Sequence, residues 1–221
     1  MTFLNGARFI SIRIESRRIE SHHITSHHIA SNHIESHHID GDKVAMETFD
    51  VDGYAPDVDA FARVGVMVFN DVRNPDVVRA AVMEGTIDAA VLDGASVAGA
   101  RAVHMACYKA RVALERNALA TKALHAEVVY CLSPGSNIRE ALKRFGARDA
   151  STSIVVCKFD PTVEDEAMLR RMIDGNVVTF ENKAPCDEVE VKKWYNVHEN
   201  ELAFGSLEDA VLSRIAIRDV A

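Results

Sequence analysis

From Ile14 to His38 the chain repeats every five residues: Ile-Glu-Ser-Arg-Arg, Ile-Glu-Ser-His-His, Ile-Thr-Ser-His-His, Ile-Ala-Ser-Asn-His and Ile-Glu-Ser-His-His. A step of five turns a helix by about 140°, so the isoleucines spiral around the axis and build no face. On a strand an odd step sends successive isoleucines to opposite sides. Neither element buries them together, and so few units cannot stack into a solenoid core. Residues 1–48 are therefore expected to form a disordered tail, leaving residues 49–221 to make the fold. Seven of the ten histidines, from His22 to His38, fall in the repeat. Adjacent histidines bind zinc or nickel weakly, and the expectation is an inert tail with no functional metal.

The net charge of −8 divides unevenly. Arg8, Arg13, Arg17, Arg18 and Lys43 balance Glu15, Glu20, Glu35, Asp40 and Asp42, so the whole excess of acid belongs to the remainder. An acidic domain is a poor indiscriminate nucleic-acid binder, and any such contact must be a local cluster of Lys and Arg. In the first 18 residues, Arg8, Arg13, Arg17 and Arg18 against Glu15 alone resemble a transit-peptide composition, but no secretory apolar run accompanies them. No stretch approaches the roughly 20 apolar residues of a membrane helix, so no membrane contact is expected. Cys107, Cys131, Cys157 and Cys186 lie far apart with no CxxC pair, which reads as reduced, mostly buried thiols.

Beyond the tail, strand-like and helix-like segments alternate. Val64–Phe69 reads as a strand; Asn74-Pro75 opens a helix whose buried face is Val77, Val78, Ala81 and Val82, stopped at Gly85. A short apolar stretch follows at 88–92, then a long helix over 97–116. Residues 127–132 read as a strand, 137–145 as a helix ending at Gly146, 153–157 as a strand, and 163–173 as a helix. Residues 177–180 suggest an edge strand, and helices over 187–195 and 206–218 close the chain. The expected class is α/β (α+β), one domain with a small central sheet flanked by helices.

Searches for chemistry return little. GxxxxGK[ST], GxGxxG, HExxH and GxSxG are absent. His104, His125 and His198 are scattered, without partner spacing. The expectation is a protein that is not an enzyme, with no cofactor.

The ordered blocks carry a resemblance. Phe69-Asn-Asp-Val-Arg-Asn74, Met83-Glu-Gly-Thr-Ile-Asp88, Met105-Ala-Cys-Tyr-Lys-Ala110 and Thr121-Lys122 stand in order. Glu127 to Pro134, Asn137-Ile-Arg-Glu-Ala-Leu-Lys-Arg-Phe-Gly146, Glu190 to Tyr195 and Leu207 to Val220 follow. Together, residues 64–221 resemble the Cgi121 family (also TPRKB), an accessory subunit of the KEOPS/EKC complex. The sequence departs at Cys107-Tyr108, where the family tends to have Ala-Asn.

The resemblance implies a non-catalytic subunit, cytoplasmic and nuclear. It would bind the Bud32/PRPK-type kinase, join the other KEOPS subunits, and help recruit the tRNA 3′ CCA end for threonylcarbamoyladenosine modification. The alternatives are an independent RNA-binding module and a regulatory kinase-binding protein outside tRNA modification. For the tRNA acceptor end the candidates are Lys109, Lys122, Arg116 and Arg139. Lys109 and Lys122 match basic family positions. Arg116 is added because seven residues on a helix return to within about 20° of the same direction. Tyr108, about 100° away from Lys109, is not counted as a stacking platform. For the kinase the candidates are Leu207, Val211 and Ile215 on the last helix, opened by a Ser206/Asp209 capping box: Leu207, Ala210 and Val211 make one apolar face, Leu212, Ile215 and Ala216 widen it, and Ile217 extends it on the other side. A partner is expected to cover part of that face; the alternative is a helix wholly buried in the chain's own core.

Overall fold

The computed structural model describes residues 44–51 and 62–218. The pentapeptide repeat and its histidine pairs lie outside the described residues. Five strands are β1 (Glu47–Val51), β2 (Ala62–Asn70), β3 (Ala90–Asp93), β4 (Ile154–Phe159) and β5 (Asn176–Val178). The helices are α1 (Pro75–Glu84), α2 (Ala100–Glu115), α3 (Leu124–Leu132), α4 (Ile138–Phe145), α5 (Val163–Met172), α6 (Glu188–Tyr195), α7 (Glu199–Leu202) and α8 (Leu207–Ile217).

The strands run in the order β1-β2-β4-β3, antiparallel throughout, and β5 pairs with the end of β2 beyond β1. Both faces of the sheet are covered. Val64, Val66 and Val68 of β2, with Ala90 and Leu92 of β3, meet α2, α3, α6 and α8 on one side. Met67, Phe69, Ala89, Val91 and Val156 meet α1 and α5 on the other. Strands buried on both faces read as unbroken apolar runs, which is why β2 and β4 stand out in the sequence. Each fully buried Phe, Ile or Leu in these layers contributes roughly 1.5–3 kcal/mol. The expected class, a small central sheet flanked by helices, is the observed one.

Helix ends are fixed by particular side chains. Asp165 and Thr162 form a reciprocal capping box at α5, as do Ser206 and Asp209 at α8. Gly85 closes α1 in the left-handed region at φ 78°. Asn74 precedes α1 but does not cap it. Its side chain accepts the Asp174 amide and donates to the Met172 carbonyl, tying α1 to the end of α5. The N-terminus of α2 has no cap of its own. Glu208, from α8, accepts the Arg101 amide at 2.8 Å. A Cβ on Gly99 would lie 2.2 Å from that carboxylate, so glycine permits the approach.

Other readings change as well. Residues 127–132, expected as a strand, belong to α3. The six residues from Glu127 to Leu132 are all buried, so the helix has no polar stripe to reveal its period. Val77, expected in the buried face of α1, is 54% exposed, while Val78 and Ala81 carry the contact. β1 and α7 were not expected, and β1 spans the anticipated boundary between residues 48 and 49. Met46, just before β1, is buried, and the Val44 carbonyl accepts from Arg170.

Candidate functional site

A cleft of about 530 Å³ opens between α2, α3 and the end of α8. From α2 it is lined by Tyr108, Lys109 and Arg116, from α3 by Glu127, Tyr130 and Cys131, and from the end of α8 by Ala216 and Arg218. Seven-residue spacing does bring Lys109 and Arg116 to one place. Arg218 joins them from the far end of the chain. Lys122, in the turn before α3, and Arg139, in the first turn of α4, are exposed but do not line this cleft. Tyr108 does line it and is 40% exposed. The cleft spans more of the α2 surface than one stripe, so a residue 100° from Lys109 still reaches it.

The polar groups are held in fixed roles. Lys109 Nζ donates to the Ile215 carbonyl at 2.6 Å, satisfying a carbonyl at the end of α8. The Arg218 guanidinium donates to the carbonyls of Tyr130, at 2.7 Å, and Ser133, at 3.2 Å, closing the C-terminus of α3. It also lies 4.4 Å from the Tyr130 ring centroid, a cation–π contact. The Glu127 carboxylate, 2% exposed, accepts from the Ala120 and Thr121 amides and the Thr121 hydroxyl. Burial pushes the Cys131 thiol up to about 11, with Arg218 opposing. Three cations thus face one inward-turned carboxylate, in a chain whose net charge is −8.

Helix α8 has two faces. Val211 and Ile215, 1% and 0% exposed, are enclosed in the chain's own core, and Leu207 packs against it half-buried. Those three positions anchor the helix. The outward side carries Leu212, half-buried, with Ala216 and Ile217 exposed. Arg101 clamps the start of α8 through Glu208 and Asp209, and Arg214 bonds Glu201 and the carbonyls of Tyr195 and Asn196. The Ser206 hydroxyl and amide, then Arg101, hold the Asp209 carboxyl down at about 2.

The three histidines among the described residues sit at packing and helix-end positions. His104 stacks on Phe49 at 3.8 Å, and burial lowers its pKa. His125 pairs with Asp88 at 2.9 Å, and burial lowers it despite that neighbour. His198 precedes α7. Among the described residues no group of three or more His, Cys, Asp or Glu is placed to hold a metal. No helix among them is long and apolar enough to cross a membrane.

The family model described as kinase binding protein CGI-121 matches residues 69–219, from the end of β2 through α8. EKC/KEOPS complex subunit TPRKB of Danio rerio is 30% identical over 158 residues, 70% of this chain and 90% of the relative. EKC/KEOPS complex subunit cgi121 of Schizosaccharomyces pombe is 31% identical over 172 residues, covering 71% and 93%. The CGI121 subunit of Kluyveromyces lactis is 32% identical over 116 residues, covering 52% and 73%.

Proposed function

Because this chain belongs to the CGI-121 family of kinase-binding proteins, we propose that it is the accessory, non-catalytic subunit of a KEOPS/EKC-type complex. In this reading it binds a Bud32/PRPK-type kinase and joins the other subunits. It also receives the 3′ CCA end of tRNA during threonylcarbamoyladenosine formation, in cytoplasm and nucleus. The observation that carries the tRNA part is the cleft. An unpaired nucleotide end needs cations for phosphates and a flat side chain for bases. Lys109, Arg116 and Arg218 supply the first and Tyr108 the second, within a domain whose net acidity discourages binding elsewhere.

For the kinase, the outward side of α8 is the apolar surface left over once Val211 and Ile215 have gone to the core. Leu212, Ala216 and Ile217 are the contact residues in this reading. The test is affinity for the purified kinase of an Ala216→Arg, Ile217→Glu variant. Both side chains are exposed, so melting should stay within about 0.5 kcal/mol of the wild type. The kinase Kd should rise at least about tenfold. Unchanged affinity in a folded variant would remove the kinase from this face.

A further inference from the structure

Among the described residues, the cations of this acidic chain are almost all engaged. Arg79 bonds Asp149, Arg101 bonds Glu208 and Asp209, Arg148 bonds the buried Asp93, and Lys183 donates to the Gly94 and Ala184 carbonyls. The exceptions are Lys122, Arg139, Lys143 and Arg171, which are exposed and have no hydrogen-bond or ion-pair partner among the described residues. Arg171 is on α5. The other three fall in two neighbouring elements, the turn before α3 and helix α4. An exposed cation with no carboxylate beside it is the one best placed to neutralise a phosphate backbone and release its counterions.

The pair of helices gathers these three side chains. After a short turn over 133–137, α4 doubles back along α3, so its last turn returns to the start of α3. Ala123 and Ala126 from the one and Lys143 and Gly146 from the other line a single hollow, and a Cβ on Gly146 would lie 3.8 Å from Val129. Lys122 directly precedes Ala123. Arg139 is four residues before Lys143, about 6 Å along the helix axis and about 40° around it. The acids nearby are already answered: Glu140, the acid of α4, pairs with Arg144 at 3.3 Å, and Asp149 pairs with Arg79 at 3.0 Å. The row lies on the other side of α3 from the cationic cleft. Ala126 and Val129 line the hollow shared with α4, whereas Glu127, Tyr130 and Cys131 line the cleft. One helix, about 10 Å across, separates the two.

Neither α4 nor the turn before α3 presents an exposed aromatic. Phe145, the aromatic of α4, is fully buried, so unpaired bases find no stacking surface on this row, in contrast to Tyr108 in the cleft. Three exposed cations without an aromatic suit the backbone of a duplex, whose bases stack on one another and which is recognised by shape and phosphate contact. We propose that Lys122, Arg139 and Lys143 form a second nucleic-acid contact, which holds the phosphates of a paired RNA stem while the cleft holds the unpaired end of the same molecule. This contact, which rests on the tRNA reading of the cleft, adds a footprint that is independent of sequence and steep in salt. Two contacts one helix apart fix the direction in which the stem leaves the cleft.

The test compares the full chain with two variants of equal charge: a row variant, Lys122→Gln, Arg139→Gln, Lys143→Gln, and a control, Arg63→Gln, Arg171→Gln, Lys193→Gln. All six side chains are exposed, so both variants should melt with the wild type. The probes are intact tRNA, tRNA trimmed of its CCA end, and a single-stranded oligonucleotide ending in CCA, each titrated between about 50 and 200 mM salt. The row variant should lose at least about tenfold in affinity for intact and for trimmed tRNA at the low end of that range. Its salt dependence should be shallower by about three units, one for each cation. It should bind the oligonucleotide as the wild type does, and the control should match the wild type on all three probes. An equal loss in the control, or an equal loss on the oligonucleotide, would overturn the proposal. Unchanged affinity of the row variant for intact tRNA would overturn it too; if an Arg116→Glu, Tyr108→Ala variant still weakens intact tRNA, the cleft reading stands without the row. Loss from the row variant alone would instead remove the cleft reading and keep the stem contact.

Discussion

Helix α3 borders a hollow on each of two faces, and the two are built in opposite ways. On the face of Glu127, Tyr130 and Cys131 the cleft is walled by cations that already serve the fold: Lys109 satisfies the end of α8, and Arg218 satisfies the end of α3. On the face of His125, Ala126 and Val129 a groove of about 710 Å³ is walled by apolar side chains left exposed, Met83 and Leu142. A cation that bonds a helix carbonyl still presents charge to the cleft, and its position is fixed before any phosphate arrives. An exposed methionine or leucine has no such duty, so the groove wall is adaptable where the cleft wall is rigid. The difference is between a charged wall already fixed by the fold and an apolar wall free to adapt.

Removing one lysine from each hollow tests that distinction. Lys109→Met breaks a charged hydrogen bond to a half-buried helix end and should cost about 1.5–3 kcal/mol. Lys143→Met removes an exposed charge and should change stability by less than about 0.5 kcal/mol. Denaturant unfolding of both variants measures the gap. Equal losses would show that the two hollows do not differ in this way.

A smaller effect separates them by pH. His125 lines the groove, and no histidine lines the cleft. Burial lowers the pKa of His125 and of His104 below the ordinary 6.5. As pH falls through that value, the unfolded chain binds protons that the folded chain refuses. The folded state therefore loses stability between about pH 7 and 5.5, and more of it is present above that window. Asp88 opposes the shift at His125 without cancelling it. Thermal melting across this range should show the decline, and His125→Gln should flatten part of it. A melting point independent of pH in both proteins would contradict the assignment.

How much of this was legible in the sequence depended on whether the signal was local. The start of α8 was readable because Ser206 and Asp209 are three residues apart, and the pairing of Lys109 with Arg116 because seven residues make nearly two turns. α3 was misread because Glu127–Leu132 is buried all round, and Val-Val-Tyr then has the composition of a strand. Glu127 was a clue, since a carboxylate in that run needs partners, and it finds them in the turn at Ala120 and Thr121. β1 does alternate Thr48 and Asp50 with Phe49 and Val51, but over too few residues to stand out from the polar sequence around it. Arg218 was invisible as a cleft residue because only the packing of α8 on α2 brings it to Tyr130. The outward face of α8 was partly legible; the division of labour along it, with Val211 and Ile215 inward, needed the packing.

The role proposed for the cleft between α2, α3 and α8 is to receive the single-stranded end of tRNA. The most direct measurement is the affinity of the assembled kinase complex for intact tRNA and for tRNA trimmed of its CCA end, with the wild-type chain and with an Arg116→Glu, Tyr108→Ala variant. The variant should weaken intact tRNA by about 1–3 kcal/mol for the lost stacking alone. It should make the salt dependence shallower by about one unit for the lost phosphate contact. Trimming should produce a similar loss in the wild type, and the variant should add nothing further on trimmed tRNA. Unchanged affinity for intact tRNA, or an equal further loss on trimmed tRNA, would contradict the claim.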